Sequence, residues 1–250
     1  MPAPVSVIIP TLNVADRIGP CLHALFAGLD AGLIHELILS DGGSSDDIEK
    51  MADELGARFV SGPQGRGGQL RRGAEVARAP WLLFLHADTV LAPGWEGVVA
   101  GHVQGGRCPT RRPGMDAADD TVADMGRAAV FRLGFDSAGM PGRLVAGWAN
   151  LRTRLFGLPY GDQGLLVSRA LYDAVGGFPD IPLMEDVAMA CALRGRIDLL
   201  PAHAITDAGR YQREGWLRRG GRNLWTLARY FAGVPPERLV RGYEGGQPSN

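Results

Sequence analysis

The sequence predicts an α/β fold with a mixed, mostly parallel central sheet and helices on both faces, and three observations carry that reading. Short runs, Val5-Ser6-Val7-Ile8-Ile9, Glu36-Leu37-Ile38-Leu39-Ser40 and Trp81-Leu82-Leu83-Phe84-Leu85, are apolar at consecutive positions, as strands covered on two sides are. Stretches with helical spacing separate them. Each run ends in a polar turn, at Pro10-Thr11-Leu12-Asn13, at Asp41 and at His86-Ala87-Asp88. Three strand ends can therefore lie side by side at the carboxyl edge of the sheet, where open α/β sheets bind ligands.

After the first strand, Asn13 can cap a helix whose Ile18, Leu22, Leu25 and Leu29 form one apolar stripe. The second strand runs into Asp41-Gly42-Gly43-Ser44-Ser45-Asp46, a tight turn in which Ser45 or Asp46 can cap a helix through Ile48, Met51, Ala52 and Leu55. Arg58-Phe59-Val60-Ser61 gives a short third strand. A Gly-rich loop over 62–68 leads to a helix from about Gln69 to Ala79, which returns the chain to the strand at Trp81.

The pattern fails over 104–127, where Gly, Pro, Arg and Asp dominate, and a long loop or flexible insert is expected there. Strand character resumes from Ala128 to Phe135, and Leu144, Val145, Trp148, Leu151 and Leu155 mark an amphipathic helix. The loop from Leu158 to Gly164 precedes an apolar run, Leu165 to Val167, and a short helix from Arg169 to Val175 closes at Gly176-Gly177. A Pro-rich stretch then hands over to Glu185-Asp186 at the start of a helix through Met189 and Leu193.

With 250 residues, 46% of them hydrophobic, the chain can bury one substantial core. A formal net charge of −1 lacks the basic excess of nucleic-acid binders, so no nucleic-acid partner is expected. Cys21, Cys108 and Cys191 lack the spacing of a zinc or redox site and read as free thiols. No leader-like segment and no stretch near ~18 apolar residues is present, so a cytoplasmic protein is expected, soluble or peripheral to a membrane.

The polar turns have a plain explanation, since Asp and Gly hydrogen-bond locally and tolerate unusual φ. Together they offer the parts that a nucleoside diphosphate needs. Pro10, Thr11, Leu12, Asn13 and Asp41 with Gly42 can line a nucleoside pocket. Asp88, beside His86 and Ala87, can hold a divalent cation. Arg66 and Gln69 flank a Gly-rich loop at a helix amino terminus, which attracts phosphate.

VSVIIPTLN at 5–13, DGGSSD at 41–46, GRGGQLRRGAEVA at 65–77, LFLHADT at 83–89, GDQG at 161–164 and ED at 185–186 resemble the family 2 glycosyltransferases, nearest the bacterial radical-SAM/selenodomain-associated branch. The resemblance implies a GT-A fold, a nucleotide-sugar donor with a UDP-sugar foremost, a divalent cation (Mn2+ or Mg2+) and a metal-assisted, inverting single displacement onto an acceptor hydroxyl. It divides the chain into one domain over 1–235, with a donor half over 1–103, the insert, an acceptor half over 128–235, and a tail over 236–250. It assigns Asp186 as general base with Glu185 beside it, and Gly161, Asp162 and Gln163 to the acceptor side. One departure is plain: His86-Ala87-Asp88 stands where the family commonly carries Asp-x-Asp. Asp88 is then the metal ligand, with His86 and His203 as weaker candidates.

Two other functions compete. A sugar-phosphate nucleotidyltransferase would open with a basic Gly-rich loop after the first strand, where this chain has Pro10-Thr11-Leu12-Asn13. A nucleotide-sugar-binding protein without catalysis is left open by His86 and opposed by Asp186. Finally, Arg210, Arg213, Arg218, Arg219, Arg222 and Arg229 accompany Trp216, Leu217, Leu224, Trp225, Leu227, Tyr230 and Phe231. This basic, aromatic-rich helix either packs on the domain or makes a peripheral membrane contact.

Overall fold

A computed structural model describes residues 3–105, 126–136 and 139–244. Most of the expected 104–127 insert, Cys108 and the last six residues of the tail lie outside the described residues. In chain order the elements are β1 (Val5–Thr11), α1 (Gly19–Asp30), β2 (Ile34–Asp41), α2 (Ile48–Glu54), β3 (Arg58–Ser61), α3 (Arg66–Val76), β4 (Trp81–Phe84), β5 (Thr89–Leu91) and α4 (Trp95–Gly105). Then follow β6 (Ala128–Phe135), α5 (Met140–Phe156), a 3-10 turn (Gly161–Gln163), β7 (Leu165–Ser168), α6 (Arg169–Ala174), α7 (Glu185–Ala192), β8 (Ile197–Thr206), α8 (Gly209–Glu214), α9 (Trp216–Phe231) and α10 (Pro236–Glu244).

Among the described residues the strands form one sheet of order β3-β2-β1-β4-β7-β6-β8-β5. β1 pairs in parallel with β2 and β4, and β2 with β3, whereas β7 runs antiparallel to β4. The chain order reverses between β1 and β4, the switch point at which such sheets open a ligand crevice. Both faces of the sheet are covered, as the consecutive apolar runs require. Val5, Val7 and Ile9 of β1 enter one core with Leu83 and Leu85, and Ile8 enters the other with Leu82 and Phe84.

Several boundaries differ from expectation for physical reasons. Asn13 does not cap α1: it takes φ 50°, its side chain accepts from Ser45 N–H at 2.9 Å, and the helix begins at Gly19 with Pro20 in its first turn. Asp46 accepts from Ala15 N–H at 2.8 Å and so tethers the first loop to the second instead of capping α2. α3 starts at Arg66, before the Gly pair, because Gly67 and Gly68 let it approach Pro179 and Asp180.

The amphipathic helix α5 turns its apolar stripe outward. Leu144, Trp148, Leu151 and Leu155 are 45–69% exposed, while Gly142, Ala146, Ala149, Arg152 and Thr153 are buried. Asn150 fixes this orientation by bonding both the N–H and the carbonyl of Leu133 in β6, at 2.8 and 3.1 Å. The basic, aromatic segment after β8 is two helices, broken at Gly215 with φ 85°.

Candidate functional site

The ends of β1 and β2 are tied into one rigid rim. Asp41 is buried, and its carboxylate accepts four hydrogen bonds, from Thr11 Oγ1, Ser44 Oγ and the N–H groups of Gly43 and Ser44. Burial opposes its charge, but the Ser44, Thr11 and Gly43 bonds outweigh that and hold its pKa below the ordinary aspartate value. Four bonds fill the acceptor capacity of a carboxylate. A nucleoside N–H could reach Asp41 only by displacing one of them.

Gln69 works from below. It is buried, and its amide donates to the carbonyls of Thr11 at 2.8 Å and Ser40 at 3.0 Å while accepting from Gly65 N–H at 3.3 Å. It therefore organises the loop rather than offering a free group, and Gly42 packs on it: a Cβ there would lie 3.1 Å from its amide. Pro10 and Leu12 are partly exposed at this rim, and Asn13 is exposed.

β4 ends at Phe84, and His86 to Thr89 form the turn into β5, closed by Thr89 N–H on His86 carbonyl at 3.1 Å. Ala87 is buried and Asp88 is exposed. His86 Nδ1 lies 2.9 Å from Asp162 Oδ1, which ties the imidazole to the turn at Gly161. Gly161 is required for that packing, since a Cβ on it would lie 2.8 Å from His86 Cε1 and Nε2. Burial opposes ionisation of Asp162, but its bond to His86 and the charges of His86, Arg66 and Arg219 hold its pKa below the ordinary value.

On the other wall, Met184 adopts φ 68°, a left-handed conformation that a non-Gly residue rarely takes, and turns the chain into α7. This delivers Asp186 to the cleft. Its carboxylate accepts from Gly161 N–H and from Val187 N–H, each at 2.8 Å. Glu185 is buried; burial, then the charge of Asp186, raise its pKa above the ordinary glutamate value, with Arg66 opposing. Arg66 Nη1 lies 3.4 Å from Glu185 Oε1. Desolvation works against the Arg66 charge, but Glu185, Asp186, Asp162 and Asp88 outweigh it and raise its pKa.

The structure thus brings together Arg66, His86, Asp88, Asp162, Glu185 and Asp186 at the carboxyl edge of β1 and β4. It does not bring His203 there. The His203 carbonyl accepts from Ala92 N–H, four residues along from Asp88 and so about 13 Å away by strand rise. Gln163 is also removed from the cleft, being fully buried with its amide bonded to Phe131 carbonyl, Thr153 Oγ1 and Tyr160 N–H. Cys21 is inert: burial, then the charge of Asp88, push its thiol up to about 12. Among the described residues, no group of three or more His, Cys, Asp or Glu side chains converges as a metal cage. The exposed Asp88 instead fits an ion that arrives with substrate phosphates, the usual situation for Mg2+.

Sequence reasoning missed three flanking residues: Arg152, whose guanidinium lies 3.5 Å from the centroid of the Tyr160 ring, Tyr160 itself, and Tyr211. Burial, then the charge of Asp162, push Tyr211 up to about 12.

Residues 6–114 match the family described as Glycosyl transferase family 2. A PGL/p-HBAD biosynthesis glycosyltransferase of Mycobacterium tuberculosis is 41% identical over 99 residues, 36% of this chain and 38% of that protein. The chain therefore matches well under half of the length of that relative. S. aureus TarS 1–349, solved in complex with UDP-GlcNAc, superposes with a TM-score of 0.54 at 15% identity over 81% of this chain and 58% of its own. Glucosyl-3-phosphoglycerate synthase from Mycobacterium tuberculosis, solved with Mg2+ and UDP, gives 0.51 at 20% identity over 82% and 70%. The fold is the GT-A fold that these structures share, a mixed, mostly parallel sheet between helices.

Proposed function

We propose that this chain is a family 2 glycosyltransferase that moves a sugar from a nucleotide sugar, a UDP-sugar foremost, to an acceptor hydroxyl with inversion. One observation carries the reading: Arg66, inside the matched residues 6–114, pairs with Glu185 of α7, far outside that match, and so brings the matched half against Asp186. The motif set LFLHADT and GDQG supports a place near the radical-SAM/selenodomain-associated branch, and the single sheet supports one catalytic unit.

Asp186 takes the proton from the acceptor hydroxyl as that oxygen attacks the anomeric carbon. The bond from the anomeric carbon to the diphosphate breaks, and the leaving group departs toward Arg66 and the first turn of α3. The N–H groups of Gly161 and Val187 hold the carboxylate in place for this. Asp88 is the residue that would hold a Mg2+ or Mn2+ ion, whose chemistry is to neutralise charge on the diphosphate. His86, tied to Asp162, positions the acceptor-side turn.

Calorimetry of UDP binding with and without Mn2+ tests the donor site. The metal-dependent part of the affinity should vanish in Asp88→Ala, and an unchanged affinity in the presence of metal would remove Asp88 from this role.

A peripheral contact with an anionic bilayer is part of the proposal. The exposed stripe of α5 joins Leu224, Trp225 and Phe231 of α9, which packs against it. Residues 140–156 and 216–231 together carry no Asp or Glu, and beside the buried Arg152 and the Glu214-paired Arg219 and Arg222 they hold Arg143, Arg154, Arg218 and Arg229. A second copy would meet this face with like charge, whereas anionic lipid complements it. Flotation with phosphatidylglycerol vesicles should carry the protein, and Trp148→Ser with Trp225→Ser should release it. Absence of flotation, or a dimer in solution that the same pair dissociates, overturns this contact.

A further inference from the structure

Arg152 is 4% exposed, yet none of its Nε, Nη1 and Nη2 atoms has a hydrogen-bond partner among the described residues. The stacking of its guanidinium on Tyr160 recovers less than the stripping of water from an unpaired charge costs. The carboxylate whose charge it feels, Asp186, has each oxygen bonded to a backbone N–H. Burial lowers the pKa of Arg152; Tyr160, which offers the guanidinium its ring and a single hydroxyl oxygen, and Asp186 only partly oppose this. Five N–H donors in a fixed fork are thus held dry beside the proposed general base.

Tyr160, on whose ring the guanidinium lies, lines a cleft together with His86, Gly161, Glu185 and Asp186. The Tyr211 hydroxyl accepts from Asn223 Nδ2 at 3.3 Å and so keeps its own proton to donate. A planar carboxylate or a phosphate supplies the acceptor atoms that the fork lacks.

We propose that Arg152 forms an anion subsite on the acceptor side of the cleft, taking a carboxylate or phosphate of the acceptor near the hydroxyl that Asp186 deprotonates. The acceptor-side placement rests on Asp186 as the base; the donor phosphates have Arg66 across the cleft. The acceptor is then an acidic molecule rather than a neutral sugar or alcohol. Arg152 recognises its substrate, and Tyr160 holds the guanidinium flat.

Inorganic phosphate is the probe, with thermal unfolding followed at ionic strength matched by sodium chloride. The wild type should gain about 2–4 °C once phosphate exceeds its dissociation constant about five-fold, and should gain it equally with UDP and Mn2+ at saturation. Arg152→Met should show no gain, and without phosphate it should be no less stable than the wild type. Arg152→Lys, which keeps the charge but loses the fork, should show a smaller gain. A gain in the wild type no larger than in Arg152→Met overturns the subsite. Loss of the gain when UDP is bound assigns the anion to the donor and overturns the acceptor placement, and failure of both variants to fold makes Arg152 structural. None of these readings requires turnover, so a failed glycosyltransferase reading remains distinguishable from a failed subsite.

Discussion

At the scale of single residues, Asp186 is the base we propose, and the Gly161 N–H fixes its carboxylate. Asp186→Asn keeps the shape and the donor cleft but removes the base, so transfer should fall by about 10²- to 10⁴-fold with UDP affinity nearly intact. Single-turnover kinetics beside calorimetry would check it, and unchanged turnover would remove Asp186 from the role. Gly161→Ala should drive the His86 ring off Asp162, because the new Cβ would start 2.8 Å from Cε1 and Nε2. A loss of about 1–3 kcal/mol in stability is expected from such overpacking, read by denaturant unfolding. Asp41 gives a pH signature. Its folded pKa lies below the unfolded one, so its contribution is complete above the ordinary aspartate value and is lost as the pH falls through the lower folded value. Asp41→Asn should lose about 1–3 kcal/mol near neutrality and flatten the acid limb of stability against pH. These carboxylates were legible in the sequence because each follows a strand or opens a helix. Arg152 and Tyr160 were not, because nothing local marks a guanidinium that tertiary packing closes off from water.

Among the elements, α3 sits where it does because of its glycines. A Cβ on Gly73 would lie 2.4 Å from Ile8 Cγ2, and one on Gly67 would lie 2.1 Å from the Pro179 carbonyl. Gly73→Ala gains up to about 1 kcal/mol of helix propensity. Overpacking against the fully buried Ile8 costs about 1–3 kcal/mol, so the net change should be destabilising. Combining it with Ile8→Ala should lose less than the sum of the two single losses, since the added methyl occupies space that the second change opens. Additive losses would show that the contact is not the cause. Periodicity announced α5 correctly as amphipathic but carried no information on which side meets the protein. Asn150 bonding to β6 and the small residues at 142, 146 and 149 decided that, and left Leu144 and Trp148 outside. Gly215 likewise splits the basic segment into two helices, through a φ that composition alone did not reveal.

For the whole molecule, the sheet order explains why one cleft collects residues from both halves of the chain. β4 has β1 on one side and the antiparallel β7 on the other, so the turn after β4 faces both the donor rim and the Gly161 turn. A ligand that bridges these halves should stabilise the native state as a unit: UDP with Mn2+ should raise the unfolding temperature more than either alone, and additive effects would show separate sites. The sequence by itself determined the alternating α/β order, the strand ends at Thr11, Asp41 and the turn to Asp88, and the acids opening α7. Backbone periodicity and turn chemistry are local, and local order suffices to write them. Only the tertiary structure decided which polar groups remain available. It closed Asp41, Gln69 and Gln163 into internal hydrogen bonds, separated His203 from Asp88 along β8, tied His86 to Asp162, and buried Arg152 on the Tyr160 ring with its fork unfilled among the described residues. Those outcomes depend on contacts between segments far apart in the chain, and no spacing within one segment encodes them.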